Sequence, residues 1–150
     1  MHIESINLQI DKANVAIKEK ACEDEDICLL MSLPGIDVRT ALLLKSEIGP
    51  IGRFVDYKHL VSWAGLAPCV HQSGDVLWNG GVSRCGSGVL RWAIVEAAHV
   101  AVCCDERFCE FYGRVKVRRG GSKAVVAVAN KVLKVVLVLL VRWEMYGGVN

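Results

Sequence analysis

Between Glu110 and Glu144 the chain carries no carboxylate, while Arg114, Lys116, Arg118, Arg119, Lys123, Lys131, Lys134 and Arg142 are all basic. The same stretch sets Val125, Val128, Val132, Val135 and Leu139 at alternating steps of three and four residues. Valine alone favours strands, but a long segment with this period closes an apolar face only as a helix. The reading is a helix of about 22 residues, opened by Ser122 after the break Arg118-Arg119-Gly120-Gly121. At 100° per residue, Lys123, Lys131, Lys134 and Arg142 fall within roughly 100° of arc, a basic stripe beside the apolar one. The most apolar run, Val135–Val141, is far shorter than the ~20 residues of a membrane span, so no membrane contact is expected.

The N-terminus repeats the pattern with opposite charge. Ile3, Ile6, Ile10, Ala13 and Ile17 form a short heptad seam, read as the end of a coiled coil over residues 1–22 that pairs with another helix or with a second copy of the chain. Residues 1–28 hold three lysines against seven acids, and the other 122 hold 15 Lys/Arg against nine acids. The net charge of +2 therefore hides an acidic start and a basic remainder. Such asymmetry points to a polyanion partner for the C-terminal part, or equally to a solvated helix face. With 53% hydrophobic and 23% charged residues the chain is not disordered, and its 150 residues suit one compact domain.

Between these ends the elements follow from their caps. Glu23–Asp26 ends the first helix or opens the next, where acids suit the positive helix terminus. Ile27, Leu30, Met31 and Leu33 then make an apolar stripe that stops at Pro34-Gly35. Asp37 caps a new helix carrying Val38, Ala41, Leu42, Leu44 and Ile48, closed by Gly49-Pro50. Residues 27–49 thus read as a helix-hairpin-helix, whose turn at Gly35 and Ile36 would offer backbone amides to a phosphate. Asp37 brings a negative charge to the same place. Asp56 caps a short helix ended by Gly65. Residues 66–88 are glycine-rich and read as a loop-rich or short-strand insertion. Helices resume from Ser87 to Cys104 and from Asp105 to Val117, and residues 146–150 are a tail. The fold class is mainly α: a domain over 23–145 with an N-terminal coiled-coil-like helix.

The cysteines at 22, 28, 69, 85, 103, 104 and 109 lack the short paired spacings of a metal site. A zinc site from Cys69, His71, Cys85 and one of Cys103, Cys104 or Cys109 can be drawn. Buried thiols acting as small apolar residues fit the spacing better. No apolar leader precedes them, so the cytoplasm is the expected compartment.

The order Leu33-Pro34-Gly35-Ile36, Glu47-Ile48-Gly49, Arg53-Phe54, Ala64-Gly65-Leu66-Ala67-Pro68, Gln72-Ser73-Gly74, Gly81-Val82-Ser83-Arg84, Leu90-Arg91, Phe111-Tyr112 and Lys123-Ala124 resembles the C-terminal domain of DEDD-type insertion-sequence transposases and Piv-like DNA invertases. The likeness spans about residues 27–141. It implies a DNA strand-transfer enzyme whose catalytic serine is Ser73, forming a covalent phosphoserine link. Four acids holding a divalent metal, magnesium, would come from a separate ribonuclease-H-like domain that this stretch does not include. This chain itself would hold no cofactor and no metal ligand, and it would bind DNA without cutting it. The resemblance further implies a guide RNA and a homo-oligomer formed through the first helix. Cys85 stands where it leads one to expect a second basic residue.

Serine needs an activating base or metal and an open approach, which Gly74 allows. Arg84 and Arg91 follow closely, as cations around a reacting phosphate must. His71, Ser73 and Asp75 would share a strand face, but side chains two apart seldom meet as a relay. Candidate DNA contacts are Gly35, Ile36, Gly74, Arg84, Arg91, Arg118, Arg119, Lys123, Lys131 and Lys134. Beside the recombinase reading stand a non-enzymatic helix-hairpin-helix DNA-binding module and an inactive remnant of a transposase.

Overall fold

A computed structural model describes residues 2–73, 76–83 and 85–147, with 69–80 by their backbone alone. The order is α1 (His2–Cys22), α2 (Glu25–Met31), α3 (Val38–Ile48), a 3-10 turn (Ile51–Arg53), α4 (Tyr57–Trp63), β1 (Pro68–Ser73), β2 (Val76–Val82), α5 (Gly88–Cys104), α6 (Glu106–Arg119) and α7 (Gly121–Arg142). The mainly α expectation holds. The 66–88 insertion is an antiparallel hairpin of β1 and β2, irregular between Pro68 and Val70.

The caps explain the breaks. Asp24, Asp37, Asp56, Ser87 and Asp105 each accept a hydrogen bond from a first-turn amide of the helix that follows, satisfying donors that helix geometry leaves open. The acidic run thus opens α2. Ser122 does not cap α7; Gly120, at φ +85°, takes that place because the reversal from α6 needs a left-handed residue.

α7 is the central element, packing on α2, α4, α5 and α6. Ala124, Val128, Ala129, Val132, Leu133, Val136, Leu139 and Leu140 are buried on it. The expected stripe is too narrow: Val125 and Val135 lie at its margins, half-buried, because partners close on α7 from several sides. An 18-residue stretch of α7 has a mean hydropathy of 2.4, so by length and composition α7 could cross a membrane. The shorter run Val135–Val141 understated this. In this fold the apolar face of α7 forms the core of the helical domain.

Two further expectations are corrected. Met31 is exposed, and Leu29 takes its place in the core beside Ile27 and Leu30. Cys22, Cys28, Cys85, Cys103, Cys104 and Cys109 are free and exposed rather than buried.

The turn between α2 and α3 docks on α5. Gly35 adopts φ +93°, and a Cβ there would collide with the Ala97 carbonyl; only glycine permits this approach. Ile36 beside it is buried. Lys45 of α3 pairs with Asp24 and, at 3.0 Å, with Asp26. The C-terminal segment also packs: the Tyr146 amide donates to Ser32 Oγ at 2.9 Å, and its ring stacks on Phe108 at 6.2 Å.

Candidate nucleic-acid interface

The basic residues gather at the α6–α7 junction. The final turns of α6 carry Arg114, Lys116, Arg118 and Arg119, and the first turn of α7 carries Lys123, all exposed. Among the described residues none of the five forms an ion pair. Gly120 reverses the chain between them, so cations separated along the sequence share one end of a helical hairpin. At a helix C-terminus the α6 cations also meet favourable backbone dipoles.

Lys131 and Lys134 sit farther along α7 and do not join this tip. Lys131 is half-buried, with Nζ 4.7 Å from the Phe111 ring centroid and 5.7 Å from that of Phe108. Lys134 Nζ stands 5.4 Å from the ring of Tyr57 on α4. The stripe read from helical arc is therefore divided between two neighbours, each holding its lysine by cation–π attraction.

Ser73 ends β1 and pairs with Val76 across the hairpin turn. Its side chain, like those of Cys69 and His71, lies outside the described residues, as do Gly74, Asp75 and Arg84 altogether. The root of the hairpin is defined in detail. The Ser83 amide donates to the Ala67 carbonyl at 2.8 Å, and the Ser87 amide to the Trp63 carbonyl at 2.9 Å. The Ser87 hydroxyl donates to Glu47 Oε2 at 2.6 Å while accepting from the Leu90 amide. α3, α4 and α5 thus converge on the segment that leaves β2.

Arg91 reaches into this root. Among the described residues its buried Nη1 has no hydrogen-bond partner, nor has Asn130 Oδ1 from α7. Both side chains lie against Gly65-Leu66: a Cβ on Gly65 would stand 2.6 Å from Arg91 Nη1, and Asn130 Nδ2 donates to the Leu66 carbonyl at 3.5 Å. Gly35 and Ile36 occupy a third place, against α5. There Asp37 accepts the Thr40 amide, and its hydrogen bonds with Thr40 lower its pKa despite partial burial. The first turn of α3 is consequently furnished with a carboxylate.

No group of three or more His, Cys, Asp or Glu side chains able to hold a metal occurs among the described residues. Asp24 and Asp26 are engaged by Lys45 instead.

A family model for the "Transposase IS116/IS110/IS902 family" matches residues 28–113, from α2 into α6 and including the hairpin. The chain belongs to this transposase family. The transposase for insertion sequence element IS1111A of Coxiella burnetii is 32% identical over 135 residues, covering 87% of this chain and 37% of that protein. A probable family 20 transposase of Pseudomonas aeruginosa is 26% identical over 149 residues, 96% of this chain and 44% of the relative. The pilin gene-inverting protein of Moraxella bovis is 33% identical over 111 residues, 71% of this chain and 34% of the relative. The transposase chain described here thus spans well under half the length of these relatives.

Proposed function

We propose that this transposase domain grips DNA through the α6–α7 tip and presents Ser73 as the nucleophile of strand transfer. The observation that carries the grip is five exposed cations at one end of a helical hairpin, none in an ion pair among the described residues, within a stretch free of acids from Phe111 to Trp143. Such a tip reads phosphates rather than bases, so a guide RNA would present it with the same chemistry. Gly35 and Ile36 serve the packing of their turn on α5, and Arg91 serves the root of the Ser73 hairpin.

The residues described here do not fit a divalent metal centre, and we derive no step through one. The carboxylates and magnesium implied by the family would act from elsewhere in the enzyme. The apolar seam on α1 supports self-association. In this reading Ser73 Oγ loses its proton and bonds to phosphorus as the P–O bond to one strand breaks, that strand leaving as a hydroxyl. A strand hydroxyl then attacks the same phosphorus, and Ser73 Oγ leaves and regains a proton.

Two measurements test the reading. Binding of duplex DNA should weaken steeply with salt, and Arg118→Ala/Arg119→Ala should make log K against log salt shallower by about 2, near 0.9 per phosphate contact. In a full-length transposase bearing this domain, Ser73→Ala should abolish the covalent protein–DNA adduct without altering affinity. An adduct that survives Ser73→Ala would remove the serine assignment.

A further inference from the structure

Arg53 has a role that neither charge clustering nor the transposase family match assigns. It ends the 3-10 turn after α3, is exposed, and holds its guanidinium 4.8 Å from the Phe54 ring centroid and 4.6 Å from that of Trp63. Two rings fix the group by cation–π attraction without using any of its N–H donors. Among the described residues those donors make no hydrogen bond or ion pair. The acids flanking Arg53 in sequence are both committed elsewhere. Glu47 accepts the Ser87 hydroxyl, and Asp56 accepts the His59 amide at 3.0 Å and contacts its ring nitrogen at 2.8 Å. A planar donor fork, held in place yet without a counter-ion, is suited to a two-oxygen anion such as a phosphodiester.

Its surroundings say which kind of strand. Trp63 remains 43% exposed although Arg53 stands over its ring. An exposed indole beside a fixed cation offers one nucleotide both a stacking face and a phosphate contact. Paired bases inside a duplex cannot reach such a face. The Trp63 carbonyl also accepts the Ser87 amide, so this pair sits at the root of the hairpin that carries Ser73 at its far end.

We propose that Arg53 and Trp63 form a binding site for an unpaired nucleotide, phosphate on the guanidinium fork and base on the indole. This deepens the proposed nucleic-acid function and rests on it. The test compares this chain and its variants on oligo(dT) and on a duplex of equal length. Arg53→Lys and Trp63→Ala should each weaken oligo(dT) binding about tenfold, and Trp63→Phe should restore most of it. The same variants should change duplex affinity less than about twofold, with thermal unfolding confirming that each is folded. Arg53→Lys binding oligo(dT) as tightly as the parent chain would overturn the site, as would equal losses on duplex and single strand. Weakening by Arg118→Ala/Arg119→Ala alone would overturn it and leave the proposed function standing. No binding by the parent chain would overturn both.

Discussion

Arg91 fills the space in which a side chain at Gly65 would stand. A Cβ on Gly65 would lie 2.6 Å from Arg91 Nη1 and 2.7 Å from the Cys85 carbonyl oxygen, at a backbone φ of +66°. Gly65→Ala therefore meets three obstacles: a left-handed conformation, a guanidinium and a neighbouring backbone. It should cost about 2–3 kcal/mol of stability in chemical denaturation. Adding Arg91→Ala should recover only part of that loss, because the Cys85 carbonyl stays in place. Full recovery would show that the guanidinium alone dictates glycine at this position.

Ser87 couples α3 to α5 through one hydroxyl, which accepts from the Leu90 amide and donates to Glu47. Ser87→Ala removes a helix cap and a hydrogen bond to a charged group, an expected loss of about 1–2 kcal/mol. Glu47→Ala should cost less, and the double variant little more than Ser87→Ala. Simple additivity in that cycle would show that the two residues are not energetically linked.

The closure at Tyr146 predicts an alkaline weakness. Burial, then the hydrogen bond to Asp105 and its charge, push the Tyr146 hydroxyl up to about 12. Its folded pKa thus exceeds the unfolded value of 10.0, so the protonated phenol is favoured by folding. This contribution is complete below pH 10 and is lost as pH rises toward 12. Burial alone would raise the Asp105 pKa, but the Tyr146 hydroxyl and Arg107 outweigh it, and the net shift is downward. That contribution is present above the ordinary value of 3.8 and fades as pH falls below it. Tyr146→Phe should cost about 1 kcal/mol at neutral pH. The gap to the parent chain should close between pH 10 and 12; a constant gap across that window would break the assignment.

What the sequence disclosed here was local. Asp37, Asp56 and Asp105 were legible as caps because a short polar side chain before an apolar period has few other uses. The helix-strand alternation around 66–88 was legible from glycine content and alternation, though not the pairing of Ser73 with Val76. What escaped depended on tertiary partners. Lys131 and Lys134 share an arc of α7, yet Phe111 and Tyr57 draw them apart. The thiols looked buried by residue type, but Cys103, Cys104 and Cys109 on α5 and α6 stand exposed, as do Cys22, Cys28 and Cys85. Arg53 was visible only as part of Arg53-Phe54, since Trp63 joins it from ten positions on through the fold of α4.

α1 leads to the last prediction. It is 21 residues long, about 31 Å at 1.5 Å per residue. Ala21 is its only buried residue, while Ile3, Ile6, Ile10 and Ile17 are 75%, 54%, 50% and 39% exposed. Arg39 touches it through Asn14 at 2.8 Å, a polar contact that leaves the seam open. A helix in a protein draws most of its stability from packing its apolar face, and a row of exposed isoleucines makes water the wrong partner. A second copy, seam to seam, supplies knobs for the same holes. The parent chain should therefore sediment as a dimer, and Ile6→Glu/Ile10→Glu should sediment as a monomer. The variant should also lose the far-UV helical signal of about 20 residues, because an unpartnered α1 melts while α2–α7 stay folded. A monomeric parent chain with full helical signal would mean that α1 stands without a partner, and self-association through this seam would have to be abandoned.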